Sequence, residues 1–155
     1  MATYKRLLKE YADHLNPNNA RQDIQLDWDM HSLQLEAVIL GSAGTPYEGG
    51  IFRFTVTLPE AYPFREPKIE MLTKMWHPNV LDERIPHAFC TGCLGRDWSP
   101  AITIEKLLIR FKAQMDNPDF NDIDCCNPEV RSMAINDVEA FKQKAKEWTE
   151  LYARE

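Results

Sequence analysis

Three consecutive segments of this chain alternate apolar and polar residues with a period of two, and this pattern constrains the fold most strongly. The apolar positions are Ile24, Leu26 and Trp28, then Leu33, Leu35, Ala37 and Ile39, then Phe52, Phe54, Val56 and Leu58, with Ile69 and Met71 indicating a short fourth strand. Successive side chains of a strand point to opposite faces, and the connections here are brief. The segments therefore predict an antiparallel meander with one buried face.

Helical periodicity flanks the strands on both sides. The first helix is indicated by Tyr4, Leu8, Tyr11 and Leu15, with Thr3 as a candidate N-cap. The later helices are indicated by Ile104, Leu107, Leu108, Phe111 and Met115, by the helix start Asn127-Pro128-Glu129, and by Val138, Phe141, Ala145, Trp148 and Tyr152. An N-terminal helix, a four-stranded antiparallel meander and C-terminal helices predict an α+β fold. We expect residues 1–155 to form a single domain.

Charge and composition exclude several classes of function. The formal net charge is -6, which argues against a general nucleic-acid-binding surface. The sequence has no apolar run long enough to cross a membrane and no secretory signal at its start. We therefore expect a protein of the cytoplasm or nucleus, whose cysteines are reduced. The cysteines form two clustered pairs, Cys90 with Cys93 and Cys125 with Cys126, a pattern that suggests chemistry or metal binding before structural disulfides.

Between residues 76 and 100 no periodicity holds, and three short motifs follow one another there. His77-Pro78-Asn79 comes first, then Cys90, then Trp98-Ser99-Pro100. Long irregular segments within a compact domain are usually functional or disordered. The aromatic residues and cysteines of this segment favour a functional loop.

Together with motifs elsewhere, this order resembles the ubiquitin-conjugating enzymes over nearly the whole chain. The shared features are the basic start of the first helix, Pro46-Tyr47-Glu48-Gly49-Gly50, Tyr62-Pro63-Phe64 with Pro67, the three motifs above with Ala101, and the last segment from Glu147 to Ala153. The resemblance implies an acyltransferase. It would accept ubiquitin or a ubiquitin-like protein as a cysteine thioester from an activating enzyme and pass it to a substrate lysine, usually with a ligase.

The resemblance also implies roles for three catalytic residues. Cys90 is expected to carry the thioester, since it lies eight residues before Trp98. Cys93 is the alternative, because a leucine follows it, as one usually follows the family's cysteine. Asn79 matches an asparagine proposed either to stabilise the oxyanion or to brace the loop. Asp122 matches an acidic residue that helps to orient the incoming lysine, although Asp119 and Asp124 lie close by.

Partner surfaces follow from the same resemblance. The positions expected to meet the activating enzyme are Lys5, Arg6 and Lys9, and those expected to meet ligases are Phe64, Ser99, Pro100 and Ala101. No cofactor and no metal is expected.

Other interpretations of the same residues remain. The spacing of Cys90 and Cys93 is that of a zinc knuckle, but a structural site would need two more ligands, and a redox role is disfavoured because the pair does not open a helix after a strand. The stretch between Asn79 and Cys90 is longer than is usual in the family. A catalytically inactive scaffold that binds ubiquitin or a partner protein is therefore the alternative to an enzyme.

Overall fold

The computed structural model describes residues 2–15, 22–28, 32–78, 80, 98–118 and 127–154, and side chains are described at all of these except residues 2–4 and 15. Within these residues the elements are α1 (Ala2–Leu15), β1 (Ile24–Asp27), β2 (Gln34–Leu40), β3 (Ile51–Thr57), β4 (Lys68–Met71), α2 (Ile104–Asp116), α3 (Pro128–Asn136) and α4 (Val138–Tyr152). The α+β order of helix, four strands and helices is confirmed. None of the helices in this described part of the chain has the length and apolar character needed to cross a membrane.

The strands form one antiparallel sheet in the order β1-β2-β3-β4. Ile39 pairs with Phe52, and Phe54 pairs with Met71, so the apolar residues of neighbouring strands meet on one face. This is the face that the period-two alternation predicts. Thr55 departs from the alternation, since it is buried although it lies between two inward residues of β3.

Helix α2 supplies the main apolar surface that covers this face. All of its predicted apolar residues are buried, and the ring of Phe111 stacks on that of Phe54 with the centroids 6.3 Å apart. Thr103 caps the start of the helix, because its side chain accepts a hydrogen bond from the backbone N–H of Lys106 at 3.1 Å. The core therefore lies between the sheet and α2.

A glycine allows the connection between β2 and β3 to close tightly. The Gly41 N–H donates to the carbonyl of Gly50 at 2.9 Å. A Cβ atom at position 41 would lie 1.8 Å from the carbonyl oxygen of Tyr47, so no larger residue fits there. The Tyr47 side chain is buried in the core.

Helix α1 differs from the prediction in two respects. The helix begins at Ala2, so Thr3 lies within it and is not its N-cap. Leu8 was expected on the inner face, but its side chain is 43% exposed, whereas Leu7 and Glu10 are buried. A hydrophobic stripe cannot reveal this orientation, because the inner face is built around a carboxylate.

Smaller differences occur at element ends. The alternation predicted three residues as parts of strands that instead lie just outside them: Trp28, Leu33 and Leu58. The Leu58 N–H nevertheless donates to the Leu33 carbonyl at 2.7 Å. In α4 the outermost residues of the predicted face, Val138 and Tyr152, are exposed.

Candidate active site

His77 anchors the start of the first motif inside the protein. Its ring is fully buried, and Nε2 lies 3.1 Å from the carbonyl oxygen of Gln114 and 3.2 Å from that of Met115. Both neighbours are acceptors, so Nε2 carries a proton and donates it. These carbonyls belong to the last turn of α2, where a helix has no backbone donors left to satisfy them. His77 therefore joins the motif to the end of α2.

The same burial fixes the charge of this histidine. Loss of hydration lowers the pKa of His77 to about 4, although the two backbone carbonyls act in the opposite direction. The ring is therefore neutral near pH 7. A neutral and fully buried imidazole with Nε2 committed to two carbonyls acts as a structural anchor, and it is poorly placed to exchange protons with solvent or substrate.

Hydrogen bonds to the backbone hold the residues on either side of His77. The Tyr47 hydroxyl donates to the Trp76 carbonyl at 2.7 Å. The Pro78 carbonyl accepts from the N–H of Asn127 at 3.2 Å, and Val80 N–H donates to the His77 carbonyl at 3.2 Å. The backbone is thus held from the β2–β3 connection and from the start of α3.

Asn127 has a second role at this point. Its side-chain oxygen accepts from the Val130 N–H at 3.4 Å, which makes it the N-cap of α3, followed by Pro128 at the first helical position. The prediction of this cap is confirmed. The residue that starts α3 is therefore also the one that holds Pro78.

Two loops lie together at another part of the surface. The indole N–H of Trp98 donates to the Pro63 carbonyl at 2.9 Å, and the Trp98 ring packs against buried Tyr62 with centroids 6.0 Å apart. The peptide bond between Tyr62 and Pro63 is cis. The next residue, Phe64, is 73% exposed, more than any of the other large apolar side chains that the structure describes.

The second loop also presents its residues to solvent. Ser99, Pro100 and Ala101 are all exposed. The Ala101 N–H donates to the Ser99 hydroxyl at 3.2 Å, and the Ile102 N–H donates to the Ser99 carbonyl at 3.0 Å. The loop is therefore a hydrogen-bonded turn whose position relative to Phe64 is set by Trp98.

A buried carboxylate connects both loops to α1. Glu10 is 5% exposed. Its Oε2 accepts from the Arg6 Nε–H at 3.0 Å and from the Tyr62 hydroxyl, and its Oε1 accepts from the Ile104 N–H at 2.7 Å. Arg6 also donates through Nη2 to the Ile102 carbonyl at 3.0 Å. We call Arg6, Glu10 and Tyr62 the carboxylate cluster.

Comparison with known proteins identifies the family. The model of the family described as ubiquitin-conjugating enzyme matches residues 6–149. Ubiquitin-conjugating enzyme E2 27 of Arabidopsis thaliana is 33% identical, and the match covers 99% of this chain and 78% of that protein. The chain belongs to the ubiquitin-conjugating enzyme family.

Solved structures agree with this family fold. A ubiquitin conjugating enzyme structure from Plasmodium yoelii is similar with a TM-score of 0.86 and 33% identity, covering 100% of this chain and 97% of that one. The E2 domain of a Toxoplasma gondii ubiquitin conjugating enzyme is similar with a TM-score of 0.82 and 36% identity, covering 97% of this chain and 98% of that one. The ubiquitin-conjugating fold is therefore shown for this chain.

The described residues include the positions expected to meet partners, but none of the residues expected to be catalytic. Cys90, Asn79 and Asp122 lie outside the described residues, as do the alternatives Cys93, Asp119 and Asp124 and the pair Cys125 and Cys126. Of the basic residues of α1, Lys5 and Lys9 are exposed, whereas Arg6 is partly buried in the carboxylate cluster. The exposed positions Phe64, Ser99, Pro100 and Ala101 lie on the two loops that Trp98 joins.

Sequence reasoning missed Glu10. A charged residue is almost never buried unless it is paired, so it was not expected on the inner face of α1. The available signal was the spacing of Arg6 and Glu10, four residues apart, which places the two side chains together on one face of a helix.

Proposed function

We propose that this chain is an active ubiquitin-conjugating enzyme, comprising residues 1–155 as one catalytic domain, that carries ubiquitin or a ubiquitin-like protein on Cys90 and passes it to a lysine. The main support is the anchoring of His77 to the end of α2, together with the bond between Asn127 and Pro78. These contacts give the motif that contains Asn79 a fixed base in a family whose members are typically enzymes.

The chemistry consists of two acyl transfers. In the first, the Cys90 thiolate attacks the thioester carbonyl of the loaded activating enzyme. A carbon–sulfur bond to Cys90 forms, the bond to the activating enzyme's sulfur breaks, and that sulfur leaves as a thiolate. In the second, a lysine amine attacks the carbonyl of the Cys90 thioester. An amide bond forms, the Cys90 thiolate leaves, and the amine loses its proton to solvent or a nearby base.

Asn79 and Asp122 would act in the second transfer. Negative charge develops on the carbonyl oxygen when the amine attacks, and an amide N–H donor from Asn79 would stabilise it. A lysine has a pKa of about 10.4 and must be deprotonated before it attacks. Asp122 would orient the lysine and favour the loss of that proton.

The exposed loops and the exposed lysines would bind the protein partners. Phe64 offers a large apolar side chain beside the turn from Ser99 to Ala101, which fits a ligase surface. Lys5 and Lys9 offer positive charge to an activating enzyme. Arg6 belongs to this surface only in part, because its guanidinium is already bound to Glu10 and Ile102.

A loading assay tests the proposal. The full chain is mixed with an activating enzyme, ATP and ubiquitin, and a band shift that is removed by reductant is sought. We expect wild type and Cys93→Ser to form this adduct, and Cys90→Ser to lose it. Loading that survives in Cys90→Ser and disappears in Cys93→Ser would transfer the role to Cys93. Failure of the wild-type chain to load any ubiquitin-like protein would favour the inactive scaffold.

Single-turnover discharge of the loaded protein to free lysine tests Asn79. If Asn79 stabilises the oxyanion, Asn79→Ala should slow discharge by roughly 10²–10³ while loading and thermal stability stay normal. A bracing role predicts instead a lower melting temperature together with poor loading. A normal discharge rate would exclude the catalytic role.

Charge reversal and truncation separate the two partner surfaces. Lys5→Glu with Lys9→Glu should slow loading, more strongly at low salt, because ions screen exposed charges. Phe64→Ala should weaken ligase-stimulated discharge and leave loading unchanged. Equal loss of both steps in both variants would contradict this division.

A further inference from the structure

Two hydroxyl side chains of this protein are followed directly by proline. Thr45 precedes Pro46, and Ser99 precedes Pro100. Proline lacks a backbone N–H and has a fixed φ angle, so a protein that binds an extended segment can distinguish it from other residues. The protein kinases called proline-directed select serine or threonine in this context. Both pairs lie within the described residues, so the two hydroxyls can be compared.

The Thr45 hydroxyl is engaged within its own turn. It donates to the Ser42 carbonyl at 2.7 Å and accepts from the Tyr47 N–H at 3.3 Å. The Thr45 carbonyl also accepts from the Glu48 N–H at 3.2 Å. The Tyr47 side chain is buried, and its hydroxyl donates to the Trp76 carbonyl. A kinase that binds this segment in an extended form would have to break the turn and withdraw a buried ring.

The Ser99 hydroxyl is presented to solvent instead. Ser99, Pro100 and Ala101 are exposed in succession. Among the residues that the structure describes, this hydroxyl accepts one hydrogen bond, from the Ala101 N–H at 3.2 Å, and donates none. The turn has a further bond, from the Ile102 N–H to the Ser99 carbonyl at 3.0 Å. Binding of Ser99 by a kinase therefore disrupts less of the structure than binding of Thr45.

We propose that Ser99 is a phosphorylation site for a proline-directed kinase, and that the phosphate blocks ligase binding. In the transfer, the Ser99 hydroxyl oxygen forms a bond to the γ-phosphorus of ATP, and the bond from that phosphorus to the bridging oxygen of ADP breaks. The hydroxyl proton passes to the catalytic base of the kinase. ATP and the kinase supply all that this reaction requires besides Ser99.

The position of Ser99 gives the phosphate its expected effect. The indole N–H of Trp98 donates to the Pro63 carbonyl at 2.9 Å, which holds the Ser99 turn beside the loop of Phe64. A ligase surface that covers exposed Phe64 and Pro100 would also cover Ser99. A phosphate adds about two negative charges near pH 7, and an apolar interface would have to remove their water. This effect on the ligase rests on the proposed function, whereas acceptance of the phosphate by Ser99 does not.

Phosphate transfer to the folded chain tests the site. The full chain is incubated with an active mitogen-activated protein kinase and Mg-ATP, and the intact mass and the peptide map are measured. We expect one phosphate on Ser99 in the wild type, the same in Thr45→Val, and none at position 99 in Ser99→Ala. Pro100→Ala should slow the transfer by at least about tenfold, because the kinase selects proline.

Two synthetic peptides, of residues 41–49 and 95–103, show what the fold contributes. Each contains one of the two motifs, so the kinase should phosphorylate both peptides but only Ser99 of the folded chain. Transfer to Thr45 in the folded chain, or no transfer to Ser99, would overturn the proposal. Mass spectrometry measures these outcomes without ubiquitin, so they do not depend on whether the chain is an active enzyme.

Discharge of the loaded protein tests the effect of the phosphate. Phosphorylated and unmodified wild-type chains are loaded, and each is mixed with a ligase domain that accelerates discharge of the unmodified form. We expect equal loading and equal discharge to free lysine without the ligase. Stimulation by the ligase should be reduced by at least about tenfold in the phosphorylated form and restored by a phosphatase. Equal stimulation of both forms would overturn the block of ligase binding.

Discussion

Replacement of Glu10 by alanine tests whether the carboxylate cluster holds α1 to both loops. The change removes the acceptor of hydrogen bonds from Arg6, Tyr62 and the Ile104 N–H. Removal of one partner from a buried ion pair costs about 3–5 kcal/mol. The Arg6 side chain is 22% exposed and can recover water, so we expect the lower end, about 3 kcal/mol. For a chain of this size that corresponds to a fall in melting temperature of about 6–12 °C.

Equilibrium unfolding in urea, followed by tryptophan fluorescence, measures this loss. Glu147→Ala is the matched control, since Glu147 is exposed on α4 and should change stability by less than about 0.5 kcal/mol. Tyr62→Phe removes one donor and leaves Glu10 with its other partners, so it should cost about 1 kcal/mol.

The double variant gives the sharper result. Once Glu10 is absent, the Tyr62 hydroxyl has lost this acceptor, so its removal should cost less than it does in the wild-type protein. The loss of stability in Glu10→Ala with Tyr62→Phe should therefore be smaller than the sum of the losses in the two single variants. Additive losses, or a loss below about 1 kcal/mol for Glu10→Ala, would show that this carboxylate does not hold the loops.

Three further predictions concern the support of the candidate active site. Burial lowers the pKa of His77 from 6.5 to about 4, so the unfolded chain binds a proton at a higher pH than the folded protein does. About 3 kcal/mol of the free energy of unfolding, which is present above pH 6.5, should therefore be lost as the pH falls to about 4. His77→Gln should reduce this dependence relative to wild type in urea unfolding at several pH values, whereas parallel pH profiles would contradict the assignment. Tyr47→Phe leaves the buried Trp76 carbonyl without this donor and should cost about 1–3 kcal/mol, with normal stability as the contrary outcome. Thr103→Ala removes the side chain that caps α2 by accepting from the Lys106 N–H, and it should lower the free energy of unfolding by about 1 kcal/mol in the same assay. A loss of less than a few tenths of a kcal/mol would show that water replaces the capping hydroxyl.

The sheet and α2 could be predicted from the sequence because their burial is regular. A strand buries every second residue and a helix buries a stripe, so Phe52, Phe54, Leu107 and Phe111 reveal their positions through spacing alone. Exposed ends of elements follow this rule less well. Tyr152 has the correct spacing in α4 but lies beyond the core, and spacing carries no information about where the core ends.

The inner face of α1 could not be predicted in this way, because its central contact is polar. Leu7 and Leu8 are adjacent, and either can start an apolar stripe. What decides between them is the position of Glu10, whose partners Tyr62 and Ile104 are distant in sequence. Contacts of this kind depend on the tertiary fold. The resemblance to a family identified the order of the motifs, but it did not reveal the bonds that hold them.

The carboxylate cluster changes how charge reversal in α1 must be interpreted. Lys5 and Lys9 are exposed, so their substitution alters only the charge that a partner meets. Arg6→Glu would place a second carboxylate against Glu10 and would also remove the donor to the Ile102 carbonyl. Slower loading in that variant would therefore report a displaced loop as well as a lost charge. The surfaces proposed for the activating enzyme and for the ligase have different exposed residues, but both are held by the buried carboxylate cluster. Substitution of Lys5 and Lys9 therefore tests the surface for the activating enzyme without disturbing the surface for the ligase, whereas substitution of Arg6 does not.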